Sequence, residues 1–247
     1  MKRRITLLVA TLAVAVLLGA GGVWWFLRDD APAEVSLDAA TEALADEGAD
    51  ASDPTAVTGS GTGVEGTWTV DTASGDFDYD SATGTFAGFR VEEELTGVGS
   101  STAVGRTGDV TGSITIEGST LTAAEFEVDL TTVTTNDSRR DDRVQSALDT
   151  GTYPTATFTL TEPIELGDAA TTGEAVSVVA TGDLTIHGET QQVEIPIDAQ
   201  LVDGTIVLVA STDIVLSDYG VDVPDSPIVL SVDDQGVLEV QLLLVAA

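Results

Sequence analysis

The sequence contains no cysteine, one histidine and one methionine, and its nine lysines and arginines face 42 aspartates and glutamates in 247 residues. Without cysteine there is no disulfide framework, no lipid-modified cysteine anchor, no thiol nucleophile and no thiolate metal site, so the fold must be held by its core alone. A lone histidine excludes a His-rich zinc site, and no nucleophile elbow accompanies His187 to make a Ser-His-Asp triad. Asp76, Asp78 and Asp80 begin like a calcium loop, but Ser81 stands where glycine is required and Ala87 where the closing glutamate belongs. Glycines are plentiful yet form no phosphate loop between a strand and a helix. No metal, no cofactor and no catalytic residue is therefore expected. Paired carboxylates for glycoside hydrolysis carry no weight as a signal, because so many acids supply such a pair in any fold. The shortage of bases leaves a net charge of −33, a field that repels nucleic acid, so none is expected as partner.

Against that acidity, Ile5 to Leu27 runs 23 residues without a charge, and at about 1.5 Å per helical residue it spans a bilayer core. Lys2, Arg3 and Arg4 precede it while Asp29 and Asp30 follow, which by the positive-inside rule puts the N-terminus in the cytoplasm and the rest outside. Residues 1–27 are thus expected to be a single-pass signal-anchor, with the domain on the extracytoplasmic side of the cell membrane. The alternative is a cleaved secretory signal, whose apolar stretch is normally about 7–15 residues; Gly19 to Gly22 would then mark its end.

Residues 28–66 shift to Ala, Asp, Glu, Gly, Ser and Thr and are expected to be an acidic flexible linker. Val35 to Leu44 has the makings of a helix too short to be stable alone. As a free coil, the 39 residues of the linker would span about 30–40 Å.

Residues 67–247 read as one domain, long enough for a core that needs no staples. Its pattern is short alternating stretches broken by Gly, Asp and Asn, as in antiparallel strands with one buried face. Val110, Gly112, Ile114 and Ile116 share a face, as do Ala124, Phe126, Val128 and Leu130, and Val193 through Leu201 gives the longest run. Further strands are expected at residues 156–160, 176–186, 205–211 and 238–245, with turns at Asp203-Gly204 and Asp234-Gln235-Gly236. Asn136 to Asp149 breaks the pattern: Val144, Ala147 and Leu148 lie at helical spacing behind a capping Asn136 or Asp137. The fold class is all-β, an antiparallel barrel of about eight strands with one short helix; a two-sheet sandwich is the structural alternative.

Four ordered segments carry a family resemblance. They are Trp68-Thr-Val-Asp71 with Gly84-Thr-Phe-Ala-Gly-Phe-Arg90; Thr135 to Asp149 with Tyr153-Pro-Thr-Ala-Thr-Phe158; Gly182-Asp-Leu-Thr-Ile-His187-Gly188; and Ser217-Asp-Tyr-Gly220-Val. In these the domain resembles the YceI-like family, exported or periplasmic barrels of lipocalin type. Gly151-Thr-Tyr153 departs from it in lacking the aromatic pair usual before Tyr-Pro. The resemblance implies a lipocalin-like barrel whose apolar interior takes a polyisoprenoid or other long-chain amphiphile, with roles in storage, transport or envelope stress.

On that reading the ligand-binding candidates are Phe86, Phe89, Phe126, Phe158 and Leu184 as apolar lining, with Arg90 and His187 facing a polar headgroup. Each also has an ordinary structural reading: the aromatics as core, Arg90 paired with Glu92 to Glu94, and His187 hydrogen-bonded within the turn at Gly188. Arg139, Arg140 and Arg143 would either grip a headgroup or pair with Asp137, Asp141 and Asp142. The expected function is non-enzymatic lipid binding at the outer face of the membrane; the alternatives are a ligand-free scaffold with a side-chain-filled barrel and an envelope enzyme using carboxylates.

Overall fold

The computed structural model describes residues 31–50, 63–80, 82–96, 99–136, 138–222 and 229–247. In chain order these form α1 (Leu37–Asp50), β1 (Gly66–Asp71), β2 (Phe86–Leu95), β3 (Gly99–Thr107), β4 (Val110–Glu117), β5 (Thr120–Asp129), α2 (Ser138–Ala147), β6 (Thr155–Leu160), β7 (Ile164–Glu165), α3 (Gly167–Thr172), β8 (Val176–Ile186), β9 (Glu189–Val202), β10 (Thr205–Val215) and β11 (Val229–Ala246). Short 3-10 turns cover Leu130–Thr132 and Leu216–Tyr219.

The strands pair in the order β1-β4-β5-β6-β8-β9-β10-β11, and β1 pairs back onto β11 with Trp68 opposite Ala246, closing an eight-strand antiparallel ring. Closure removes the edges that an open sheet would expose. It also decides between the expected barrel and the sandwich. The β2–β3 hairpin continues the wall along the same edge of β11, nearer that strand's start, where Gln241 pairs with Phe86 and Val237 with Arg90. A bridge between Arg106 and Thr134, with both backbone hydrogen bonds at 2.9 Å, ties β3 to the chain beyond β5.

The expected strands form where alternation placed them, and the tight turns follow local chemistry. His187-Gly188 and Asp203-Gly204 have positive φ at both residues, as two-residue hairpin turns matched to strand twist require. Three expectations are corrected. Asp234-Gln235-Gly236 is no turn: these residues lie within β11, where the register against β2 shifts between Val232 and Gly236, and Asp234 accepts hydrogen bonds from the Ser217 backbone N–H and hydroxyl at 2.9 and 2.7 Å. The helix expected near 136–149 is present as α2, but it is joined by α1 and by the short α3.

The third correction concerns the spacer. Residues 31–44 lie against the barrel wall. Leu37, Ala40 and Leu44 pack on Val207, Val209, Leu243 and Val202, on the outer faces of β9, β10 and β11. Those strands need a cover because Ile206 to Ala210 and Leu242 to Val245 are apolar on both faces, the pattern of strands buried on both sides. A helix too short to persist in water gains its stability from this contact.

Among the described residues no helix is long and apolar enough to cross a membrane. The apolar run of residues 5–27 lies outside the described residues.

Candidate functional site, an apolar cavity at one end of the barrel

The two ends of the barrel are filled differently. At the end where β1 closes the ring, Trp68, Ile114, Ile116, Leu121, Ile164, Ala170, Ile206 and Leu244 pack into a continuous core. The Trp68 indole N–H donates to the Val64 carbonyl at 2.8 Å, so its polar edge is satisfied there. Toward the other end the interior holds a cavity of about 200 Å³. Within β10 and β11 the inward residues Leu208, Ala210, Ile214, Leu238, Val240 and Leu242 line the cavity, and Leu208, Ala210 and Leu242 also join it to the core that continues through Ile206 and Leu244.

Three phenylalanines form much of the lining, each lying across a glycine on the neighbouring strand. Phe89 pairs with Gly105, where an added Cβ would come within 2.5 Å of the ring. Phe126 pairs with Gly112 with the same 2.5 Å limit, and the Phe158 ring covers Gly182. Each ring thus lies against the wall instead of crossing the lumen, the arrangement in which an aromatic compensates for a strand glycine. Leu184 adds to the lining from β8, and Ile195 and Ile197 from β9.

The cavity end is covered by Leu148 beyond α2 and by Leu216, Tyr219 and Val221 around the second 3-10 turn. Burial holds the Tyr219 phenol above its ordinary pKa, with Asp218 adding to the effect. The Thr107 and Thr132 hydroxyls at the wall lie 2.6 Å apart and bond to each other. What remains is an apolar space that can take a hydrocarbon chain.

Phe89, Phe126, Phe158 and Leu184 therefore line the cavity, while Phe86, Arg90 and His187 do not. In β2 the alternation that turns Phe89 inward turns Phe86 and Arg90 outward, and Arg90 lies beneath residues 32–35. There Arg90 Nε donates to Glu239 at 2.6 Å, and its Nη2 donates to the carbonyls of Pro32 and Ala33, each at 2.6 Å. Arg106 joins from β3 at 2.8 Å to the Ala33 carbonyl and 3.4 Å to Glu239, with its guanidinium 4.5 Å above the Phe86 ring. The Val35 N–H completes the cluster by donating to Glu239 at 3.3 Å. Glu239 is only 1% exposed, and burial lowers the Arg106 pKa, partly offset by Glu239. Arg90 thus pairs with Glu239 and not with Glu92 to Glu94.

His187 occupies the β8–β9 turn. Its ring meets Tyr153 edge-on at 4.8 Å, and Nδ1 lies 3.2 Å from the Tyr219 carbonyl, fastening the turn to the segment that covers the cavity. Arg140 of α2 pairs with Glu93 at 3.0 Å, an ion pair that holds the helix to β2.

Residues 68–244 match the model of the YceI-like domain. The chain belongs to the YceI-like family. Two solved structures share this YceI-like fold. One is a polyisoprenoid binding domain from Saccharophagus degradans implicated in plant cell wall breakdown, 21% identical over 74% of this chain and 99% of that one, with a TM-score of 0.57. The other is Burkholderia cenocepacia BcnA, 20% identical over 70% and 98% of the two chains, with a TM-score of 0.52. No curated protein matches the chain. Residues 31–44, which cover the barrel wall, precede the matched YceI-like region.

Sequence reasoning missed the residues that close the cavity. Tyr219 and Val221 stood in a segment already singled out by resemblance, and Ile195 and Ile197 in the longest alternating run. The glycine beneath each lining phenylalanine was in the sequence too, but only the strand register, which sets Gly105 opposite Phe89, Gly112 opposite Phe126 and Gly182 diagonal to Phe158, reveals it.

Proposed function

We propose that this protein binds a polyisoprenoid or similar long-chain amphiphile in the barrel cavity, without chemical conversion, and stores or transports it at the outer face of the membrane in which residues 5–27 are anchored. The observation that carries the binding is the cavity itself: a closed barrel packed at one end and hollow toward the other, with aromatic rings held against the wall. A side-chain-filled barrel, as a ligand-free scaffold would have, lacks such a space. The Saccharophagus degradans domain, described as polyisoprenoid binding, supports the choice of ligand class. Burying about ten chain carbons at roughly 0.8 kcal/mol each supplies about 8 kcal/mol before association costs, enough for reversible capture. Phe89, Phe126, Phe158 and Leu184 are the lining residues assigned to the tail; Phe86, Arg90 and His187 serve the wall and its cover.

The test is native mass spectrometry with organic extraction on the full chain purified in mild detergent. A co-purifying prenyl lipid in stoichiometric amount is expected. A lipid-free protein that also fails to take up added quinones and prenyl phosphates would leave the scaffold reading in its place.

A further inference from the structure

Residues 31–44 do more than cover apolar strands, because their path has a direction. The Pro32 and Ala33 carbonyls meet Arg90 and Arg106 beside Glu239, which pairs with Ser211 across β10. From there the chain runs to Leu37, Ala40 and Leu44 over Val207, Leu243 and Val202. Leu243 pairs with Val207, four residues nearer the packed end than the Glu239–Ser211 pair. The covering segment therefore enters the wall from the cavity side and descends toward the packed end.

Only five residue steps separate Leu27, the last residue of the apolar run, from Pro32; fully extended they reach at most about 18 Å. The long spacer expected between membrane and barrel does not intervene. Most of residues 28–66 follow the point of attachment instead of preceding it.

Two further features collect at the cavity end. Of the four exposed large hydrophobic side chains among the described residues, Tyr153 and Leu230 are there, Tyr153 against the His187-Gly188 turn and Leu230 at the start of β11 beside Leu95. The arginines divide in the same way. Past Arg28 the chain has five: Arg90 and Arg106 are buried under the cover, and Arg139, Arg140 and Arg143 belong to α2, whose end closes the cavity through Leu148. Elsewhere the barrel presents acids.

From these observations we infer that residues 31–44 are a strap that holds the barrel with its cavity end against the bilayer, so that a lipid passes between membrane and cavity at short range. The inference rests on the anchor reading of residues 5–27. The surface it fits is a neutral or zwitterionic one, whose phosphates meet Arg143 of α2 while Tyr153 and Leu230 reach the interface. Attraction between net charges cannot orient so acidic a domain, and the strap supplies the constraint instead.

The absence of cysteine makes the test clean, since one introduced thiol carries one label. The full chain is reconstituted in phosphatidylcholine vesicles that contain phosphatidylcholine with a nitroxide on its headgroup. A fluorophore is placed either at L230C, at the cavity end, or at E117C, at the packed end. Quenching is expected to be several-fold stronger at position 230 than at 117. Equal quenching, or stronger quenching at 117, overturns the orientation. Inserting a 30-residue Gly-Ser segment between Asp30 and Ala31 leaves the strap docked while lengthening the leash, roughly 30 Å as a coil, and is expected to abolish the difference. A difference that survives the insertion assigns it to the surface alone and removes the strap from the argument. Flotation separates the two failures: a chain left in the aqueous fraction defeats the anchor reading and this inference with it, whereas a floating chain with equal quenching defeats the orientation alone.

Discussion

Leu242 and Leu243 are neighbours in β11 and face opposite ways, Leu242 into the cavity and Leu243 under the strap. Both are almost fully buried, at 1% and 0% exposure, yet their surroundings differ in kind. The outer side is packed against Ala40, Val207 and Val209 and bounded by a buried charge cluster that makes specific hydrogen bonds. The inner side borders an unfilled space with no such bonds across it. Stability is concentrated on the outside of this wall and binding capacity on the inside, so substitutions on the two faces should separate the two properties.

The sharpest break is at Glu239. Glu239→Ala leaves Arg90 and Arg106 buried without a counter-charge, which should cost about 3–5 kcal/mol and detach residues 32–35; urea denaturation reads the loss, while lipid uptake by the folded fraction is retained. Next comes the pair of leucines itself. Leu243→Ala should lie toward the upper part of the roughly 2–5 kcal/mol range for buried leucines and Leu242→Ala toward the lower, because the cavity already deprives Leu242 of neighbours on one side. Equal losses in thermal melts would refute the contrast. A smaller effect on stability with a larger one on binding is expected from Gly105→Val, which pushes Phe89 off the wall and into the lumen: about 1–3 kcal/mol of overpacking, with quinone uptake largely abolished.

The gentlest test uses pH. Burial raises the pKa of Tyr219 at the cavity end and of Tyr79 near the strap. A raised folded-state value means that the unfolded chain ionises first, so stability is intact below the ordinary tyrosine pKa of about 10 and declines above it. Tyr219→Phe and Tyr79→Phe should each remove part of that decline, read in urea denaturation curves on either side of the ordinary tyrosine pKa; a decline that both variants leave unchanged would refute the assignment.

Much of the inner face was legible in the sequence, because alternation is a local signal. The runs at 110–116, 124–130 and 193–201 assign their inward residues directly, Phe126 among them. The outer face was harder to read. Alternation in β2 is clear enough to separate Phe89 from Phe86 and Arg90, but two aromatic rings beside a lone cation drew all three to the site, the rings as lining and the cation as a headgroup partner. The strap left a trace in Leu37, Ala40 and Leu44 at helical spacing and in the unbroken apolar runs of β10 and β11. Each trace is weak alone and becomes decisive only when the two are brought together, across some 200 residues of sequence. His187 likewise has its partner at Tyr219, 32 positions away, so no local pattern could show it.

The way β11 is shared has a consequence for how the molecule comes to exist. This last strand in chain order pairs with β10 along one side and with both β1 and β2 along the other, and its Glu239 and Leu243 receive the strap. Nothing before it can close the ring, seal the interior or complete the seat of residues 31–44. Contacts that join such distant parts of a chain form slowly, so assembly should wait for β11 and then involve the barrel and its strap together. Until that moment the chain is an open sheet with two hungry edges, in need of protection from its neighbours.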